Sequence, residues 1–145
     1  MDRTSKIVKI FTRKLFPFIL LYGCYLISHG HLSPGGGFQG GVIFGSAIVL
    51  LGLVEGVRIT EKRFREDLLS LIKNIGMLIF ILTGFTAMIL GYSFLSDFLP
   101  QGEVGAVPSA GLILFLNLTI GFMVGTGIAV IFYRTVRHGS DDQWA

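Results

Sequence analysis

Charge is missing from the places where an ion carrier most needs it. The chain has 145 residues, of which 52% are hydrophobic and only 14% charged, whereas soluble domains carry roughly a quarter charged residues. None of its long apolar runs holds an acid, a lysine, an arginine or a histidine near its middle. Proteins that move protons or cations unaided usually keep such groups at membrane depth. The single cysteine, Cys24, excludes an internal disulfide and a structural zinc site. No serine–histidine–acid trio and no paired carboxylates fall within reach of a common pocket, so no catalytic residue, metal or cofactor is expected. No lysine follows the glycine cluster in a GK[ST] pattern, which removes the nucleotide-binding reading.

What is present is apolar sequence in four runs. The length allows one membrane domain over 1–145, with spans at about 13–30, 36–56, 71–95 and 109–133. A helix needs about 20 residues to cross a hydrocarbon core of about 30 Å. The expected fold is therefore all-α, a polytopic membrane protein with four transmembrane helices. A basic start before a short apolar run also describes a cleavable signal. No small-x-small cleavage site follows Ile27, so a retained first span is expected.

The net charge of +3 does not point to nucleic acid, because of where the charges lie. Four spans put the N-terminal segment, the 55–73 loop and the C-terminal tail on one side. All 12 basic residues fall there: Arg3, Lys6, Lys9, Arg13 and Lys14, then Arg58, Lys62, Arg63, Arg65 and Lys73, then Arg134 and Arg137. The opposite loops, 29–37 and 96–108, carry only Asp97 and Glu103. Basic residues mark the cytoplasmic side, so both termini are expected to be cytoplasmic. In the middle loop an amphipathic segment over about 58–70 is expected, capped by Thr60. Glu61/Arg65 and Lys62/Glu66 pair at four-residue spacing, and Phe64, Leu68 and Leu71 share a face. The Gly- and Pro-bearing outer loop 96–108 reads as irregular, and Trp144 in the polar tail as a contact to a partner or a headgroup.

The stretch SHGHLSPGGGFQGGVIFG, Ser28 to Gly45, organises the rest. Ser33 and Pro34 form a helix-start signature, with serine as cap and proline at the first helical position. Glycine costs about 1 kcal/mol per helical site in water, yet in a membrane a bare backbone lets another helix come close. Gly36/Gly40, Gly37/Gly41 and Gly41/Gly45 are small-xxx-small pairs, and Gly121/Gly125 repeats the spacing in the last span. These seven glycines are read as helix-packing positions.

The remaining polar residues each have two readings. Glu55 and Lys73, at the inner ends of their spans, either snorkel to the interface or, for Glu55, face a polar cavity shared with another subunit. His29 and His31 either bond to the turn or join Asp97 and Glu103 in a cation site or proton relay. Asn117, Thr83, Thr86 and Thr119 read as interhelical hydrogen-bonding groups. The ion-pathway candidates are His31, Glu55, His29 and Asn117.

Gly30, His31, Pro34, Gly35, Gly36, Gly37, Phe38, Gly40 and Gly41 together resemble the signature GH-x-x-PGGGF-x-GG of the B-type subunits of multisubunit Na+/H+ antiporters, the MrpB/MnhB family. The resemblance implies a small subunit of a prokaryotic cell-membrane assembly, in which larger antiporter-like subunits carry most of the pumping machinery. It implies partners of two kinds, large antiporter-like subunits and small companion subunits, and for some members a redox arm of the membrane-bound hydrogenase type. It also ranks His31 above His29. The reading that follows is a companion subunit of a monovalent cation/proton antiporter module, not an enzyme by itself. The rival is an independent homo-oligomeric channel, for which Asn117, Thr83 and Thr86 are the only polar lining on offer.

Overall fold

Four helices long and apolar enough to cross a membrane, and one short helix between the second and third of them, make up the described chain. The structure, a computed structural model, describes residues 6–30, 36–97 and 111–141, with side chains up to Gly139. His31, Ser33, Pro34, Gly35, Glu103 and Trp144 lie outside the described residues. The helices are α1 Lys6–His29, α2 Gly37–Glu55, α3 Val57–Arg63, α4 Glu66–Ile89 and α5 Leu112–Asp141. No strand occurs among the described residues.

Several ends differ from the expected spans, each for a local reason. Helix α1 begins at Lys6, so Lys6, Lys9, Arg13 and Lys14 ride on the helix instead of preceding it. Helix α2 begins at Gly37, with Gly36 in extended conformation as its N-cap. Helix α4 stops at Ile89, well short of 95, because Gly91 takes φ +85°. Gly91 N–H then donates to Met88 O and Tyr92 N–H to Ala87 O, a glycine-terminated helix end. The chain folds back there, and Phe94 stacks edge-on against Phe85, centroids 6.2 Å apart.

The amphipathic segment at 58–70 is not one helix. It breaks at Phe64 and Arg65, between α3 and α4. Thr60 is an interior residue of α3, fully buried, whose hydroxyl donates to Gly56 O at 3.2 Å. It therefore does not cap. The break also removes the helical pairs expected at Glu61/Arg65 and Lys62/Glu66. The acids turn to α5 instead: Arg137 reaches Glu61 at 2.8 Å and Glu66 at 3.1 Å, and Arg134 reaches Glu66 at 3.0 Å. These pairs anchor the far end of α5, which stays helical well past 133.

Helix α2 packs on α1 and α5, and α4 packs on α5. The geometry of α5 explains how it serves two neighbours. Asn117, Gly121 and Gly125 meet α2, whereas Thr119 and Met123 meet Gly76 of α4. Two residues along a helix turn it by about 200°, so these sets lie on opposite faces. A core of Ile48, Leu69, Ala129, Val130 and Tyr133 ties α2, α4 and α5 together near their basic ends.

Candidate functional site

The glycines of α2 face two neighbouring helices. Gly37, Gly41 and Gly45 lie against Asn117, Gly121 and Gly125 of α5 in constant register, so the two helices run parallel. A Cβ on Gly41 would stand 2.5 Å from the Gly121 carbonyl oxygen, and one on Gly45 would stand 2.8 Å from that of Gly125. Gly40, one residue off this seam and rotated by about 100°, faces α1, where a Cβ would be 2.8 Å from Gly23 O. Ile27 of α1, buried, fills the junction between Gly40 and Gly121. Three backbones thus meet at distances that side chains would prevent. Gly36, by contrast, leaves room: a Cβ there would meet Asn117 Oδ1 at an ordinary 3.8 Å.

Asn117 is placed at the start of α2. Its side-chain oxygen lies 3.5 Å from the Gly37 N–H, which donates to it. A residue of α5 therefore serves a free N–H at the N-terminus of α2, a task the helix's own N-cap glycine has no side chain to perform. The hydroxyls of Thr83, Thr86 and Thr119 do not bridge helices. They donate to the carbonyls four residues back, at 2.7, 2.8 and 2.9 Å. A threonine in an apolar setting satisfies itself on its own helix when no partner is nearer.

Glu55 does not snorkel to water. Its side chain is 1% exposed, and Arg13 of α1 donates Nε–H to Glu55 Oε1. Arg63 of α3 stands 3.8 Å from Oε2, which has no hydrogen bond of its own. A carboxylate withdrawn from water is costly unless paired, and two guanidinium groups meet that need. The arrangement is a buried carboxylate held between a membrane helix and the α3 segment, with one oxygen short of a donor. Sequence spacing did not reveal this, because Arg13 reaches Glu55 through the antiparallel packing of α1 on α2, and Arg63 through the fold of α3 against the end of α2 after Gly56.

At the opposite end His29 stacks on Tyr25, centroids 4.4 Å apart, with Nδ1 3.2 Å from Tyr25 O. Asp97 Oδ1 accepts the Leu112 N–H at 3.1 Å and so caps α5 across the intervening loop. Tyr133, fully buried with no hydrogen bond to its hydroxyl, is a further polar residue that sequence reading overlooked. Only its place in a 3.6-residue apolar pattern would have marked it as interior.

A family model described as a domain related to the MnhB subunit of Na+/H+ antiporter matches residues 7–130. The B component of the Na(+)/H(+) antiporter of Alkalihalophilus pseudofirmus is 32% identical over 126 residues, covering 86% of this chain and 87% of that one. A Rhizobium meliloti protein, named as a probable K(+)/H(+) antiporter component of combined A/B type, is 29% identical over 84% of this chain, which spans 12% of that longer polypeptide. Among solved structures, the membrane-bound sulfane sulfur reductase, an archaeal respiratory membrane complex, contains a chain that matches with TM-score 0.76 and 29% identity. The match covers 92% of this chain and 60% of that one. With its four apolar helices and glycine seam, the chain belongs to the MnhB family and is a multi-pass membrane subunit of the multisubunit Na+/H+ antiporter type.

Proposed function

We propose that this subunit is a non-catalytic scaffold within a monovalent cation/proton antiporter module, and that it lines part of an ion path completed by its neighbours. One observation carries this reading. The only buried charged group among the described residues is Glu55, at the basic end, while the interior between α1, α2 and α5 is closed by backbone-to-backbone glycine contacts. A chain packed this way has no polar passage of its own to offer a cation at mid-depth. The large antiporter-like subunits would supply it. That the Rhizobium relative is named as both A and B in one polypeptide supports placing a large antiporter-like chain next to this one. The resemblance to a chain of a respiratory complex supports a second setting, in which the module is joined to a redox arm.

In this reading both termini and α3 are cytoplasmic, as the distribution of basic residues favours. Glu55, with His31, His29 and Asn117, is the group through which the scaffold would touch the path. The test is to purify the tagged chain in mild detergent, identify what accompanies it, and assay cation-dependent proton exchange in vesicles. Co-purifying large subunits, with exchange lost when this chain is deleted, is the expected result. Exchange by the chain alone would overturn the scaffold reading. His31→Ala is expected to lower exchange while leaving the complex intact; equal loss of both would assign His31 to the turn.

A further inference from the structure

Helix α4 leans on α5 with one face and turns the other outward. Its buried residues are Leu69, Gly76, Gly84 and Ala87. Roughly opposite them on the helix, Leu71, Asn74, Leu78, Ile81 and Phe85 form an exposed stripe. Their spacing alternates between three and four residues, the repeat by which one helix presents a seam to another. All but one of them are large and apolar. The exception is an asparagine with an exposed leucine one turn to either side.

Asn74 does not suit such a surface. It lies about 10 Å along the helix axis beyond Asp67, and it has no long stem with which to snorkel. Elsewhere in the spans Ser46, Thr83, Thr86, Thr119 and Thr126 each donate to the carbonyl four residues back on their own helix. The Asn74 amide makes no hydrogen bond among the described residues. Lys73, beside it, is half-buried. A Cβ on Gly127 would stand 3.7 Å from Lys73 Cδ, so the lysine stem runs beside α5. Its ammonium group likewise has no ion-pair or hydrogen-bond partner among the described residues.

We infer that this stripe seats one transmembrane helix of a different subunit, and that the helix presents a carboxylate, Asp or Glu, to Lys73 and Asn74. Acyl chains would cover the leucines equally well, but they would leave the amide and the ammonium unpaired in hydrocarbon, which is costly. A carboxylate accepts hydrogen bonds from both. A second copy of this chain does not fit. The only acids in its four spans are Glu55, Glu66 and Asp67, and an arginine already holds each of them. Copies inserted the same way up would also set Lys73 beside Lys73 at one depth. The inference rests on the companion-subunit reading and adds to it the docking face and the chemistry of the partner.

Photocross-linking in native membranes tests it, with benzoylphenylalanine in place of Leu78 or Ile81 and the linked peptide identified by mass spectrometry. The expected product joins α4 to a membrane helix of another subunit that carries Asp or Glu within about two turns of the link. Lys73→Met with Asn74→Leu, which keeps the span apolar, should lower recovery of that subunit about tenfold at equal membrane level. Lys73→Arg should preserve recovery. Lys73→Glu should abolish it, and exchanging the identified carboxylate for lysine should restore it. Cross-links to lipid or to a second copy alone, a partner helix without an acid, or full recovery with Lys73→Met and Asn74→Leu would each overturn the inference. If large subunits still co-purify with the unaltered chain in that event, the scaffold reading stands; if none does, both fall.

Discussion

Glu55 at the end of α2 accepts a hydrogen bond from Arg13 of α1, 42 residues earlier in the chain, and the carboxylate is buried while the arginine is largely exposed. The two residues are therefore not equivalent. Removing the arginine leaves a buried charge with only Arg63, 3.8 Å away. Removing the charge leaves an amide that Arg13 can still reach. Arg13→Ala is expected to destabilise the protein by about 2 kcal/mol, below the roughly 3–5 kcal/mol that breaking a fully buried pair costs, because the arginine is largely solvated. Glu55→Gln should cost about half as much. Thermal melting in detergent ranks the two variants, and a larger loss for Glu55→Gln would contradict the pairing.

The glycine seam makes a position-specific prediction. At Gly41 a Cβ would press on backbone, 2.5 Å from Gly121 O, whereas at Gly76 it would meet Met123 Cβ at 3.4 Å. Gly41→Ala should cost about 1–3 kcal/mol through forced separation of α2 from α5, and Gly41→Leu should abolish recovery of the complex. Gly76→Ala should be close to neutral. Pull-down yield against expression level measures all three, and full recovery of the complex with Gly41→Leu would refute the close approach.

Asp97 holds the first turn of α5 through the Leu112 amide. Asp97→Ala is expected to cost about 1 kcal/mol and Asp97→Asn much less, since asparagine also caps. Hydrogen exchange at the amides of 112–115 reports the difference. Equal protection in all three proteins would mean that the cap contributes nothing.

Topology is open to a direct labelling experiment. With Cys24 replaced by serine, a cysteine at Ser93, on the exposed turn after α4, should react with a membrane-impermeant maleimide added to whole cells. A cysteine at Lys62, on α3, should react only after the cells are opened. The reverse pattern would invert the proposed orientation.

The number and order of the membrane helices were legible in the chain, because four long apolar runs in a bilayer have no other way to satisfy their backbone. Most of the glycine pairs were equally legible as close-packing positions, Gly36 excepted, where a Cβ would find ordinary room. Helix ends were less so. Gly91 terminates α4 through a left-handed turn, which no hydropathy pattern separates from the glycines packed inside spans. The break at Phe64–Arg65 was hidden because the charge pairs on either side of it would also have suited an uninterrupted helix.

The sequence by itself determined that the chain is a four-helix membrane protein whose basic residues are grouped in the first segment, the middle loop and the tail. Burial of apolar runs and the local distribution of charge are properties that the chain order alone carries. Only the tertiary structure decided which glycine meets which helix. Gly40 and Gly41 are neighbours in sequence, but the 100° turn between them sends one to α1 and the other to α5. The same holds for the charges. Glu55 is buried between Arg13 and Arg63, and Glu61 and Glu66 belong to Arg134 and Arg137, because antiparallel helices bring together groups far apart in the chain. Spacing along one helix contains no information about such partners.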